Sequence, residues 1–274
     1  MITKTKFLVP IDFTEVTEDA FVFALDAAKY HKTNIVLLHI ISDPNDRIGA
    51  EQKLNQLIAK HVKDNSVEVD TRVVIGKVLT DIGVIADSIG VDLVVMGTHS
   101  TSMWQKIFGS PAMSVVSNSN VPIILTQKNT EFAKIKNIVM TLNLAKESIQ
   151  VVKYAAKIAK MFNSQLFLVA RKYNDENFMK KININLILAN SFLKEEGLNA
   201  EIELLDDSNF ERALLDFCKQ VDANLLAATY YPESFQLFSA NLVQELAGNE
   251  LGLPVMTFYG EDSAIASNFG FITQ

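Results

Sequence analysis

The feature that most constrains this chain is that its first half is written twice. Lys136-Asn137-Ile138-Val139-Met140-Thr141-Leu142-Asn143 lines up with Thr5-Lys6-Phe7-Leu8-Val9-Pro10-Ile11-Asp12 at a shift of about 131 residues. Tyr154 to Lys160 follows Phe23 to Lys29 at that shift, and Gln165 to Ala170 follows Asn34 to His39. Asn224 to Thr229 repeats Asp92 to Gly97, and Leu253-Pro254-Val255-Met256 repeats Val121-Pro122-Ile123-Ile124, each about one residue further on. A period held across five elements implies two copies of one fold. The length of 274 residues suits two domains of ordinary size. The expected division is 1–130 and 131–274, with Gln127-Lys128-Asn129-Thr130-Glu131 as a polar linker.

Within the first copy, short apolar runs alternate with helical spacing. Phe7 to Ile11 and Asn34 to Ile41 read as strands buried on both faces, which marks a parallel sheet. Val67–Ile75, Asp92–Met96 and Val121–Leu125 read as three more strands. Phe21, Ala24, Leu25 and Ala28 keep a helical period after Asp12, with Thr14 or Thr17 as cap. Ala50–Lys63, Val78–Ser88 and Pro111–Ser117 read as further helices. The alternation predicts an α/β class: two domains, each a five-stranded parallel sheet with helices on both faces. Ligands of such sheets bind at the carboxyl ends of the strands, where Asp12, His39, Gly76 and Gly97 fall.

Composition narrows the function. A formal net charge of -7 argues against a nucleic-acid footprint, which needs clustered Lys and Arg. No apolar run approaches the roughly 20 residues that span a bilayer, and the N-terminus lacks a leader's apolar core, so no membrane association is expected. Cys218, the one cysteine, has no internal disulfide partner, which suits a reducing cytoplasm, and its apolar surroundings predict a buried thiol. The four histidines lie far apart, and no Cys or His stands at metal-ligand spacing, so no intrinsic metal is expected. His31 and His61 read as surface residues, and His39 as a structural one.

Gly97 ends a strand where the backbone turns, either as a tight turn or to let a ligand approach closely. Gly109-Ser110-Pro111 suits a helix start with Ser110 as cap, and such a start also holds phosphate. Trp104 and Met103 lie in the connection before it, with packing as the default role.

Val9-Pro10-Ile11-Asp12-Phe13-Thr14-Glu15, Leu37-Leu38-His39-Ile40, Met96-Gly97-Thr98-His99 and Gly109-Ser110, in this order, resemble a universal stress protein of the UspA type. The duplication resembles the tandem members of that family in bacteria. The resemblance implies two Rossmann-like (adenine-nucleotide alpha-hydrolase-like) domains, a cytoplasmic location, and ATP binding in one branch. The family's signature is Gly, two residues, Gly, nine residues, then Gly-Ser or Gly-Thr. Here it reads Gly97, Thr98-His99, Ser100, eight residues, then Gly109-Ser110.

Carried over by that resemblance, the nucleotide-binding set is Pro10, Ile11, Asp12, Thr14, His39, Ile40, Met96, Gly97, His99, Ser100, Gly109, Ser110, Pro111 and Ala112. ATP or AMP with Mg²⁺ is the implied ligand. Asp12 stands where the family's aspartate meets the adenosine, or the phosphates through a metal. The alternative for Asp12 is a helix-capping role with Thr14. The second copy has Thr141, Asn143 and Thr229 in place of Pro10, Asp12 and Gly97, and Asn241-Leu242 in place of Gly109-Ser110, so no nucleotide is expected there. The family pairs its last strands across a dimer, which implies an intramolecular pseudo-dimer through Val121–Leu125 and Leu253–Phe258, with a homodimer as a further possibility. Three functions stay open: a nucleotide-responsive stress module without turnover, a partner-binding scaffold without nucleotide, and a weak ATPase.

Overall fold

The computed structural model describes residues 5–64, 66–98, 111–206, 209–230 and 242–260. Contacts divide the chain into two units, one of Met1–Lys134 with Ala247–Met256, the other of Ile135–Leu246 with Thr257–Gln274.

The first unit carries β1 (Lys6–Pro10), α1 (Glu15–Tyr30), β2 (Asn34–Ile41), α2 (Arg47–His61), β3 (Val69–Ile75), α3 (Val78–Ile89), β4 (Leu93–Gly97), α4 (Pro111–Ser117) and β5 (Ile123–Thr126). The strand order is β3-β2-β1-β4-β5, with parallel pairing of β1 to β2, β2 to β3, β1 to β4 and β4 to β5. The order reverses between β3 and β4. Right-handed crossovers then put α1 and α2 on one face and α3 and α4 on the other. The central strands are apolar without alternation because helices cover both faces; Leu8, Val9, Ile35 and Leu37 are fully buried.

The second unit carries β6 (Asn137–Leu142), a 3₁₀ turn at Lys146–Ile149, α5 (Gln150–Phe162), β7 (Gln165–Lys172), α6 (Glu176–Glu195), β8 (Ala200–Asp206), α7 (Phe210–Gln220), β9 (Leu225–Tyr230) and α8 (Leu242–Ala247). β10 (Val255–Tyr259) is divided between the units, Val255 and Met256 in the first and Thr257 to Tyr259 in the second. The order β9-β6-β7-β8 repeats β4-β1-β2-β3. The repeat extends to register: Phe7 pairs Ile35 as Ile138 pairs Leu166, and Ile35 pairs Val69 as Leu166 pairs Ala200. Phe7 with Leu93 is matched by Ile138 with Leu225.

Several boundaries differ from the sequence pattern. The third strand starts at Val69 rather than Val67, and α2 runs from Arg47 to His61 rather than Ala50 to Lys63. β5 and β10 start at Ile123 and Val255, each just after a proline that lacks the N–H a ladder needs. The polar stretch at 127–130 is a pinned turn, not a free linker. Thr130 Oγ1 accepts from Gln127 N at 2.9 Å, and Lys128 pairs with Glu15 at 2.8 Å. Asn129, in the left-handed region at φ 60°, donates its N–H to Asp19 at 2.9 Å, and Gln127 Nε2 donates to Asn249 O at 3.0 Å.

Candidate functional site

Parallel register decides which residues meet at the carboxyl edge of the first sheet. Pro10 pairs with Leu38, and Leu8 with Val94, which sets Pro10 level with Met96. Pro10, Ile11 and Met96 are buried; His39, Ile40 and Gly97 are half-buried, and Asp12 is exposed just above them. Eight of the fourteen residues carried over from the sequence thus gather at the switch point: Pro10, Ile11, Asp12, Thr14, His39, Ile40, Met96 and Gly97. His99, Ser100, Gly109 and Ser110 lie outside the described residues. Pro111 and Ala112 form the first turn of α4.

Asp12 builds the turn that leads into α1. Its Oδ1 accepts from the Thr14 N–H at 2.9 Å, the Thr14 hydroxyl at 2.6 Å and the Thr17 hydroxyl at 2.9 Å. Thr14 holds the N-cap position with extended backbone, but its side chain makes no cap hydrogen bond. The expected capping by Thr14 or Thr17 is therefore replaced by both hydroxyls turning onto Asp12. A carboxylate attracts hydroxyl donors more strongly than a backbone amide attracts a hydroxyl oxygen.

His39 is tied to the same loop. Its Nδ1 lies 2.6 Å from Ile11 O, and because a carbonyl can only accept, Nδ1 carries the proton. In the neutral ring Nε2 is then the acceptor. The Phe13 ring stands 4.5 Å from the imidazole, tilted by 45°. Phe13 has φ 65°, a left-handed conformation that costs an L-residue roughly 1–2 kcal/mol. Nothing in the sequence marks Phe13 for this conformation, since left-handed backbone usually announces itself through Gly or Asn.

Gly97 has a structural reason for being glycine. A Cβ there would stand 2.3 Å from Val16 O and 2.8 Å from Val16 Cγ1. The first turn of α1 lies directly on the end of β4, and glycine provides the space. The close approach anticipated for a ligand is made by the chain itself.

The first turn of α1 also reaches α2. Glu18 binds the Lys60 ammonium, and its Oε1 lies 2.6 Å from His61 Nε2. The Lys60 hydrogen bond is the largest effect on the Glu18 carboxyl; burial opposes it, and the His61 hydrogen bond adds to it, so the pKa lies below the usual carboxylate value. His61 is not the free surface residue expected: its ring packs edge-on against Phe21 at 6.0 Å. Between the loop after β1 and α2 opens a cleft of about 260 Å³. Ile11, Phe13 and Glu18 line one side, and Lys53, Gln56, Leu57 and Lys60 the other.

The second unit rebuilds the Asp12 turn without the charge. Asn143 Oδ1 accepts from Ala145 N at 2.9 Å, and Ser148 Oγ donates to Ala145 O at 2.7 Å. These match Asp12 with Thr14 N, and Thr17 with Thr14 O at 3.1 Å. At the Gly97 position Thr229 donates its hydroxyl to Ser148 O at 3.4 Å, where the 3₁₀ turn leaves room for a side chain. Asn185 of α6, 2% exposed, donates Nδ2 to Asn143 O at 2.8 Å and Ala145 O at 3.1 Å. Ala170 replaces His39. Among the described residues no three His, Cys, Asp or Glu side chains cluster as metal ligands, and no helix is long and apolar enough to cross a membrane.

Comparison with known proteins places this geometry. The universal stress protein family matches residues 4–127. Universal stress protein MJ0577 of Methanocaldococcus jannaschii is 26% identical over 157 aligned residues, covering 45% of this chain and 94% of that protein. Universal stress protein G of Escherichia coli O157:H7 is 28% identical over 78 residues, which is 28% of this chain and 54% of that protein. The crystal structure of a universal stress protein from Archaeoglobus fulgidus superposes with a TM-score of 0.71 at 14% identity, covering 95% of this chain and 100% of that one. At that identity the likeness establishes the fold.

Proposed function

We propose that this chain is a universal stress protein, a stress-response module whose first domain, 1–130, binds ATP or AMP with Mg²⁺ and whose second, 131–274, does not. One observation carries this reading: Asn143 makes the same turn as Asp12, so folding needs an acceptor oxygen there and not a charge. The Asp12 carboxylate exceeds what the turn requires and sits exposed at the switch point, where ligands of such sheets bind. A carboxylate accepts hydrogen bonds from ribose hydroxyls or an exocyclic amine, which suits the adenosine end of a nucleotide. The phosphates would lie toward Gly97 and the start of α4 at Pro111, which Gly109-Ser110 precede in the sequence. No residue at the described edge is placed as a general base, so the module is read as a binder rather than a turnover enzyme.

The two copies would form a pseudo-dimer within one chain through Val121–Leu125 and Leu253–Phe258, closing two strand edges that otherwise invite aggregation. The cytoplasm is the compartment this reading implies.

Calorimetry with ATP, ADP and AMP in Mg²⁺, on the full chain and on Asp12→Ala and Gly109→Leu, tests the reading. Heat that saturates for the full chain and is lost in both variants is the expected result. No heat with any nucleotide overturns the nucleotide site and favours a partner-binding scaffold, the second reading. That alternative draws on the Gly97–Val16 contact, which explains the glycine without any ligand. Sustained phosphate release would instead make the protein a weak ATPase.

A further inference from the structure

The cleft between the loop after β1 and α2 shares Ile11 with the nucleotide set but opens on its other side, toward α2, and neither Asp12 nor His39 lines it. Its walls are unlike one another. Ile11 and Leu57 give a buried aliphatic floor, and Phe13 gives an aromatic side. Phe13 holds its strained backbone at φ 65° while its ring is held between His39, 4.5 Å away, and the Lys53 ammonium, 5.3 Å from its centroid. Strain of this kind persists where the surroundings over-determine a conformation, and it concentrates at binding sites.

The charges do not cancel. Lys60 is neutralised by Glu18, whereas among the described residues no carboxylate pairs with Lys53. The cleft therefore offers one uncompensated cation beside an aromatic wall and an apolar floor, with the Gln56 amide available for a hydrogen bond. In the second unit the corresponding loop is instead bound directly by α6, where Asn185 donates to both Asn143 O and Ala145 O.

We propose that this cleft is a second ligand site, distinct from the nucleotide edge, for a small organic monoanion with an aromatic or similarly flat apolar body. The apolar body lies against Ile11, Leu57 and Phe13, and the anionic head meets Lys53. The volume of about 260 Å³ admits one substituted ring and little more.

Benzoate and its neutral counterpart benzyl alcohol are the probes. Titrated into isotopically labelled full-length protein and followed by NMR, benzoate is expected to shift the amides of Phe13 and Leu57 saturably at millimolar concentration. Benzyl alcohol is expected to bind about tenfold more weakly, the cost of losing one charge-assisted contact. Lys53→Ala is expected to weaken benzoate by a similar factor and leave benzyl alcohol unchanged, and Lys53→Arg to restore benzoate. Lys53 is exposed, so neither variant threatens the fold. No saturable shift, equal affinity for the two probes, or benzoate binding unmoved by Lys53→Ala overturns the proposal. Shifts confined to Asp12 and Gly97 also overturn it, because the anion is then entering the nucleotide edge. ATP titration reads that edge separately, so the two sites fail independently.

Discussion

The two halves solve the same loop problem with different chemistry. After β1 a carboxylate gathers three donors, and after β6 an amide oxygen gathers the equivalent backbone N–H. At the end of β4 a glycine lets the first turn of α1 close in on it. At the end of β9 a threonine fills the space and hydrogen-bonds to the 3₁₀ turn that replaces that helical turn. In the first half Glu18 joins α1 to α2 through Lys60 and His61, and its counterpart Ile149 is simply buried. The difference teaches which features the fold requires. Register, turn and packing recur in both halves, whereas the carboxylate in the turn after the first strand occurs in one.

The sharpest way to treat the halves separately is Cys218, which lies in the core of the second. Burial pushes its thiol from 9.0 up to about 12, so thiolate at mildly alkaline pH should fall about a thousandfold and labelling should slow in proportion. Labelling by a disulfide reagent should require unfolding of that half, and fast labelling of the native chain would break the picture of an intact second core.

Next in size is Gly97→Ala, expected to cost about 2–3 kcal/mol in urea unfolding, because the new methyl meets backbone that cannot step aside. The reciprocal change Thr229→Ala should cost only about 1 kcal/mol, the loss of a long hydrogen bond and a little packing. Equal costs would show that the two positions are not under opposite packing demands.

Asp12→Asn borrows the second half's solution for the first. Stability should change by less than about 0.5 kcal/mol, since an amide oxygen supports the turn, while nucleotide heat in calorimetry should disappear. A large loss of stability would make the charge structural and remove the contrast on which the nucleotide reading rests.

The smallest effect concerns pH. The Glu18 carboxyl has a lowered folded pKa, so its contribution is present above pH 4.5 and is lost as pH falls through the folded value. Glu18→Gln should lower stability near neutrality by less than about 1 kcal/mol, the range of partly exposed pairs, and the difference from the unmodified chain should vanish in acid. A difference that persists in acid would assign the effect to packing.

The order of elements, the parallel class and the repeat were legible because each rests on local spacing or on a period. The apolar runs at Phe7–Ile11 and Ile138–Leu142 announce strands covered on both faces, and their fixed shift carries over to strand register. Gly97 was legible as a place where something comes close, but not as the place where Val16 does. The two residues are far apart in the chain, and only the docking of α1 onto β4 brings them together. His61 and the turn at 127–130 misled for the same reason: polar residues read as solvent-facing until Glu18, Asp19 and Glu15 of α1 are seen to bind them. Phe13 gave no signal, since a strained aromatic looks like any other in sequence.

By itself, then, the sequence determined two copies of an α/β unit, the location of their carboxyl edges and the replacement of Asp12 by Asn143 in the second. These follow from patterns that repeat along the chain. The tertiary structure decided which glycine serves packing, which carboxylate a turn could do without, and where a cleft opens beside Lys53 and Phe13. Those depend on distances between side chains on different elements, and packing in three dimensions fixes such distances while linear spacing does not.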